Sequence, residues 1–328
     1  MLPLELMYKL GETLSLSDIR SLGQTNSRLK NPSSLLMLDR MIHDPDFDPW
    51  SNEGDHREGV LHPWAYSRFL ESQNSSFEKL KLAIVNGRWE LFDHALRKGI
   101  DPSGSDNYAI RFASELGRLE MVDRLLMDQR VDPSAKGNYA ICEASKFGHL
   151  LVVERLLNDD RVDPCANDNY SFRMASSNGH LDIINLLLNS TSCANPAADS
   201  NAPVRMASQN GHYLVVDRLL QDPRVDPSVL NNQAVIAASS YGHHRIVDLL
   251  LKDHRVDPTA LNDKAIREAS ENGHFEVVDC LLKDGRVKPS SKDDEAIKQA
   301  YFQGNTRVFD LLEQFYVVNQ IPLPSDIL

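Results

Sequence analysis

The sequence predicts an all-α protein: a solenoid of about eight helix pairs joined by short turns, with a small helical segment at the N-terminus. Three observations carry this prediction. A glycine recurs every 30 to 32 residues, an alanine lies four residues before it, and an apolar helical stripe follows it. A fixed period of this length is typical of repeat architectures. The glycines are Gly87, Gly117, Gly148, Gly179, Gly211, Gly242, Gly273 and Gly304.

The segment around Gly273 illustrates the predicted helix pair. Residues 265–272 form a first helix that ends at Gly273, since glycine adopts a left-handed backbone at little cost. Pro258 and Pro289 lie outside the pair, where they break no helix. The second helix carries its apolar residues at the i, i+1, i+4, i+5 spacing of one buried stripe: Val277, Val278, Leu281 and Leu282.

Such helices cannot bury their apolar stripes alone, so the pairs must stack on one another. One small residue per repeat allows the close approach that stacking needs. We therefore expect a buried alanine row: Ala113, Ala144, Ala175, Ala207, Ala238, Ala269 and Ala300.

Composition excludes two classes of partner. The net charge is −12 and no cluster of Lys or Arg is present, which argues against nucleic acid, because binding there requires clustered cations to displace phosphate counterions. The acidic charge also disfavours anionic lipid. No apolar run approaches the roughly 20 residues that span a bilayer.

The cysteines and the N-terminus indicate an intracellular protein. Cys142, Cys165, Cys193 and Cys280 lie far apart without a Cys-x-x-Cys pair, so we expect neither a metal site nor a disulfide framework. Residues 1–5 lack the charged start of a secretory signal. We expect the cytoplasm, with the nucleus also open.

The repeats resemble the ankyrin family over about residues 77–316. The chain departs from the family where Tyr108-Ala109-Ile110-Arg111 replaces the usual Thr-Pro-Leu-His. We therefore expect tight turns at Asp106-Asn107 and Asp168-Asn169 instead of extended β-hairpins, and a local bend in the irregular stretch 192–202. The Gly-His of the family occurs at Gly148-His149, Gly179-His180, Gly211-His212, Gly242-His243 and Gly273-His274, and its double leucine at Leu125-Leu126, Leu156-Leu157, Leu219-Leu220 and Leu281-Leu282.

The recurring histidines and arginines have structural interpretations. Stacked helices lie roughly 8–10 Å apart, too far for neighbouring histidines to share an ion, so we expect the rings to bond to backbone. Arg111, Arg173, Arg205 and Arg267 share one position. We expect helical pairing at i, i+4, for instance with Glu115 and Glu271; a basic row facing an acidic partner is the alternative.

The resemblance implies a binding surface. The concave face of the ankyrin family includes the residue before each glycine, and this position varies here while its frame does not. Aromatic and apolar residues there are the expected anchors; packing onto the neighbouring repeat is the alternative. The predicted partner-binding residues are Leu116, Phe147, Asn178, Asn210, Tyr241, Asn272 and Gln303.

The sequence contains no nucleophile elbow, phosphate-binding glycine loop or His-Glu-x-x-His. We therefore expect a protein that is not an enzyme and needs neither a cofactor nor a metal.

Residues 1–45 differ from the repeats. Over about residues 1–42 they resemble an F-box, the helical motif that docks on the Skp-type adaptor of cullin-RING ubiquitin ligases. The alternative is a helical cap on the solenoid. A connector of residues 46–76, with Trp50 and Trp64, contains a decayed half-repeat in our interpretation, and residues 317–328 form a tail. The resemblance implies adaptor contacts by Leu2, Pro3, Leu6, Leu14, Asp18, Ile19 and Leu22.

These features predict a protein-protein interaction scaffold. In the leading hypothesis the repeats hold a target protein in their groove and the F-box brings it to a ubiquitin ligase through the adaptor. The alternative is a plain ankyrin-type binding protein whose N-terminal helices only cap the array.

Overall fold

The computed structural model describes residues 76–190 and 192–327. The chain divides into two compact units, Met1–Asp101 and Pro102–Leu328. In the first unit, α1 (Ser76–Val85) packs against α2 (Trp89–Arg97). Their facing side chains include Ile84 and Phe92, neither of which is exposed to solvent.

The second unit is a stack of seven helix pairs. Counting α1–α2, the described residues contain sixteen helices in eight pairs and no strand, which confirms the predicted all-α repeat fold. The first helices of the seven pairs are α3 (Gly104–Glu115), α5 (Ala135–Lys146), α7 (Ala166–Ser177), α9 (Ala198–Gln209), α11 (Val229–Ser240), α13 (Ala260–Glu271) and α15 (Ser291–Phe302). The second helices are α4 (Leu119–Leu126), α6 (Leu150–Leu157), α8 (Leu181–Ser190), α10 (Tyr213–Leu220), α12 (His244–Leu251), α14 (Phe275–Asp284) and α16 (Thr306–Val318).

The core follows the sequence pattern. Ala113, Ala144, Ala175 and the four alanines at the same position in later repeats are fully buried, as predicted. In α14, Val277, Val278 and Leu281 are fully buried, whereas Leu282 is half-buried. First helices of neighbouring pairs pack more extensively on one another than second helices do.

A left-handed turn opens each first helix of the second unit. In α7 the φ angles of Asn167, Asp168 and Asn169 are 54°, 55° and 57°, so the right-handed helix begins at Tyr170. Left-handed backbone is unfavourable by roughly 1–2 kcal/mol per ordinary residue, and Asn and Asp tolerate it best. The tight turns expected at Asp106-Asn107 and Asp168-Asn169 are confirmed.

The four arginines that share one position in the first helices stabilise these turns. The prediction that they pair with glutamates at i, i+4 was wrong. Arg111 Nε and Nη2 donate to the carbonyls of Asp106 (2.9 Å) and Ser105 (3.1 Å). Arg173, Arg205 and Arg267 make the equivalent backbone bonds. A left-handed turn points its carbonyls at the following helix, so the guanidinium meets them before it can reach a glutamate one turn on.

The histidine row links successive repeats. Nε2 of His180 lies 3.0 Å from the carbonyl oxygen of Lys146 in the preceding repeat. Because a carbonyl only accepts, Nε2 carries the proton. The equivalent bonds of His149, His212, His243 and His274 measure 2.9 Å. The prediction that the rings bond to backbone is confirmed.

An aspartate–arginine pair closes most connections between helix pairs. The Arg130 guanidinium hydrogen-bonds to Asp128, with Nη2 2.7 Å from Oδ2, and lowers the pKa of that carboxyl to about 2. Hydrogen bonds from an arginine two residues on also lower the pKa values of four further carboxyls: Asp159, Asp222, Asp253 and Asp284.

These lowered pKa values predict acid sensitivity. A carboxyl whose pKa is lower in the folded state stabilises the fold above its unfolded pKa, and this contribution disappears as pH falls through the folded value. We expect the thermal midpoint to fall between about pH 4 and pH 2, and to fall less in Asp222→Asn. Circular dichroism at stepped pH measures both. Parallel curves for the two proteins would contradict the prediction.

The structure corrects the expectation of no disulfide. Cys165 and Cys193 are disulfide-bonded, with 6.1 Å between their Cα atoms. Their separation of 28 residues is close to one repeat, so stacking places two successive connections side by side. Cys142 and Cys280 are free.

Over residues 76–190 and 192–327, no helix has the length and apolar character that crossing a membrane requires.

Candidate protein-binding surface

The residues before the glycines end the first helices. In this position Phe147 is 48% and Tyr241 57% exposed, while Leu116 is half-buried and the other four residues are exposed. The three asparagines at this position also bond to backbone. Asn210 Nδ2 donates to the Ser177 carbonyl at 2.7 Å and Asn272 Nδ2 to that of Ser240 at 3.2 Å, both in the preceding repeat. Asn178 Nδ2 bonds within its own helix, to the Met174 carbonyl. The asparagines therefore support the frame, and the aromatic residues present free ring surface.

A tyrosine row that the sequence analysis did not identify lies on the same helices. Tyr108, Tyr139 and Tyr170 follow the left-handed turns of α3, α5 and α7, and all three are half-buried. Arg111 lies between the first two, with its guanidinium carbon 5.7 Å from the Tyr108 ring centre and 5.3 Å from that of Tyr139. Arg173 lies 5.6 Å from the Tyr170 ring centre. The Asn-Tyr pair recurring every 31 residues was a signal that could have revealed this row.

Lys146 connects the tyrosine row to Phe147. Its ammonium nitrogen lies 4.8 Å from the Phe147 ring centre and 2.9 Å from a carboxylate oxygen of the buried Glu143. The hydrogen bond that Lys146 donates to Glu143 raises the pKa of Lys146, and the Tyr139 and Tyr170 hydroxyls act in the same direction. Lys146 therefore lies between the buried Glu143 and the Phe147 ring at the end of α5, the helix that carries Tyr139.

We call this region the aromatic surface. Its members are large, rigid rings, three of which carry a hydroxyl at the edge, and such side chains contribute strongly to protein interfaces. Burial raises the pKa of the Tyr139 hydroxyl, which therefore stays protonated at neutral pH and able to donate. In later repeats polar or small residues replace the tyrosines, for instance Gln233 and Lys264. The aromatic surface consists of Tyr108, Phe112, Tyr139, Phe147 and Tyr170, and Phe112 lies 4.9 Å from Tyr108 between ring centres.

Two other predictions concern possible sites. The residues with F-box resemblance lie outside the described residues. Within the described part of the chain, one group of side chains has metal-ligand spacing: Asp163, Cys165 and Cys193, whose ligand atoms lie within 4.8 Å of one another. The two sulfurs are bonded to each other here, and a disulfide sulfur lacks the thiolate that binds a metal.

Comparisons with known proteins agree with this architecture. Residues 204–293 match the family model "Ankyrin repeats (3 copies)", and residues 141–188 match "Ankyrin repeats (many copies)". Curated protein sequences gave no significant match. Among solved structures, the human ASB11 ankyrin repeat domain is similar, with a TM-score of 0.47 and 19% identity over 57% of this chain and 95% of that domain. The two family matches identify ankyrin repeats over residues 141–188 and 204–293.

Proposed function

We propose that this chain is a protein-binding scaffold that holds its partner against the aromatic surface. Ankyrin repeats are interaction modules, and an unchanging frame with variable exposed residues is how such modules acquire a partner. The observation that carries the proposal is the recurrence of rings on three successive repeats: Tyr108, Tyr139, Phe147 and Tyr170. Each ring has a cation against it, with Arg111 between the first two rings, Lys146 at Phe147 and Arg173 at Tyr170. Arginine and tyrosine at such a surface are typical interface anchors.

The rings of the aromatic surface and the hydrogen-bonding groups at its borders together define the kind of partner that it binds. Exposed ring faces favour apolar and aromatic side chains, while the tyrosine hydroxyls and Lys146 offer polar contacts at their borders. The cations Arg111 and Arg173 are committed to backbone carbonyls, so they hold the rings in place more than they attract an acidic partner. A folded or extended segment with apolar anchors fits this surface.

The finer role within the proposal is recruitment of the bound protein to a cullin-RING ubiquitin ligase. It is supported by the resemblance of about residues 1–42 to an F-box, carried by Leu2, Pro3, Leu14 and Ile19. Under the alternative, the same segment caps the array and the chain binds its partner without recruiting a ligase.

The binding surface is tested by comparing two double variants. Tyr139→Ser with Phe147→Ser removes rings from the first helices. Leu151→Ser with Leu214→Ser is the matched control, because these leucines are 60% and 63% exposed on second helices. We expect cross-linking capture of cellular partners, quantified by mass spectrometry, to fall at least about tenfold in the first variant alone, the effect of losing roughly 1.4 kcal/mol.

The opposite result would contradict the proposed surface. If the control variant loses its partners and the ring variant keeps them, the partner binds the second helices. Far-UV circular dichroism must match the wild type for both variants.

The ligase role is tested with a purified Skp-type adaptor. Full-length protein should retain the adaptor in a pull-down, and a variant with Leu2→Ala, Pro3→Ala and Ile19→Asp should lose it with unchanged helical circular dichroism. Absence of binding by the wild type would refute the ligase role and leave the scaffold role intact.

A further inference from the structure

An arginine strap joins each connection between helix pairs to the preceding connection in most of the second unit. Nη1 of Arg161 donates to the Val131 carbonyl at 2.7 Å, and Nη1 of Arg224 to the Ala194 carbonyl at 2.9 Å. Arg255 and Arg286 repeat the bond, each at 2.8 Å. An aspartate two residues earlier orients each guanidinium. The strap therefore crosses one whole helix pair with a charge-assisted hydrogen bond.

The connection after α8 cannot form this strap. Aligned on its Ala-Asn-Pro (194–196) with the Val-Asp-Pro of the other connections, this segment has Cys193 in the place of the arginine. Two residues before Cys193 stands Thr191, in the place where the neighbouring repeats have the orienting aspartate. Both halves of the ionic pair are thus replaced in the same repeat.

A matching replacement occurs one connection earlier. Cys165 takes the place held by Ser134, Ser228 and Thr259 in other repeats, whose hydroxyls donate to the preceding aspartate at 2.6–2.7 Å. The Cys165 backbone N–H still donates to Asp163 at 2.9 Å. The local turn is therefore retained, and the side chain is available for another bond.

We propose that the Cys165–Cys193 disulfide is a redox-controlled strap that replaces the arginine strap at this one helix pair. Like the arginine strap, the disulfide joins two successive connections across one helix pair, here α7–α8. The Cα separation of 6.1 Å lies in the usual range for disulfides. Three substitutions coincide in the two connections that flank α7–α8, and two of the new residues are bonded to each other. This coincidence distinguishes the pair from cysteines that meet by chance.

Reduction would break the disulfide and leave α7–α8 without a strap. A dithiol reductant supplies two electrons and two protons: the S–S bond breaks, Cys165 and Cys193 become thiols, and the reductant becomes a disulfide. Cys193 is exposed and Cys165 is half-buried, so a small thiol reaches the bond. Reduction then loosens α7–α8, the pair that carries Tyr170 of the aromatic surface.

The test uses purified full-length protein with and without dithiothreitol. Reduction should lower the thermal midpoint by roughly 5–10 °C, as removal of a loop of this size predicts. Amide hydrogen exchange in peptides spanning 160–200 should become roughly tenfold faster, because the effect is local, while peptides spanning 260–290 stay unchanged.

Two variants keep the result specific. Cys165→Ser restores the residue type of the other repeats, so it should fold and should match the reduced wild type with or without dithiothreitol. Cys280→Ser, which removes a free thiol, should respond to dithiothreitol as the wild type does.

Three results would overturn the proposal. One is alkylation of Cys165 and Cys193 by iodoacetamide in the absence of reductant. Another is exchange in peptides 160–200 that dithiothreitol leaves unchanged. The third is recovery of protection when zinc is added to reduced protein without oxidation, because Asp163 and the two thiolates would then hold a metal instead.

Discussion

Replacing Gly148 with alanine is expected to lower the free energy of unfolding by roughly 2–3 kcal/mol. Gly148 has φ +80° and an added Cβ would lie 2.5 Å from Cε1 of His180. The left-handed backbone is unfavourable for alanine by roughly 1–2 kcal/mol. The ring must also move, which breaks its 3.0 Å bond to the Lys146 carbonyl, a further loss of about 1 kcal/mol. Urea unfolding followed by circular dichroism measures the change.

Gly285→Ala is the matched control. Its φ is +79° and no atom lies within 4 Å of the added Cβ, so it carries only the conformational part of the penalty. The difference between the two variants measures the overlap with the histidine. Equal losses would show that the histidine row contributes nothing at this position. Gly148→Ala combined with His180→Ala should lose less than the sum of the single changes, since the two residues are in contact.

Replacing Asn232 with alanine is expected to lower the free energy of unfolding by roughly 2–4 kcal/mol. Asn232 is 8% exposed with φ 63°, and its Oδ1 accepts the Asp257 backbone N–H of the next connection at 2.7 Å. Losing that acceptor leaves the N–H without its partner, which costs roughly 1–3 kcal/mol. Alanine also tolerates the left-handed backbone less well than asparagine. Urea unfolding again provides the measurement.

Two further changes separate the causes. Asn232→Asp should be nearly neutral at pH 7, because Asp263 fills the equivalent position and accepts the Lys288 N–H at 2.9 Å. Asn231→Ala changes an exposed neighbour with φ 57° and should show only the backbone effect. The hydrogen-bond explanation is wrong if Asn231→Ala and Asn232→Ala destabilise the protein equally.

The candidate binding surface was predicted in part. The residues before the glycines were identified from their variability, and Phe147 and Tyr241 are indeed exposed. The sequence did not distinguish Asn210 and Asn272 at this position from the aromatic residues, because their bonds reach residues 33 and 32 positions away. The tyrosine row could have been found by its period. The position of Arg111 between the rings of Tyr108 and Tyr139 depended on how closely the first helices stack.

The sequence by itself determined the helix pairs, their number, the tight turns and the buried alanines. These properties follow from short-range chemistry: apolar spacing along one helix, glycine after its last turn, and Asn or Asp where the backbone is left-handed. Only the tertiary structure decided the long-range partners. It directed Arg111 to carbonyls instead of Glu115, joined His180 to Lys146, and brought Cys165 to Cys193. Stacking makes residues one repeat apart into neighbours, and their register in space is set by packing between helices, which no local pattern contains.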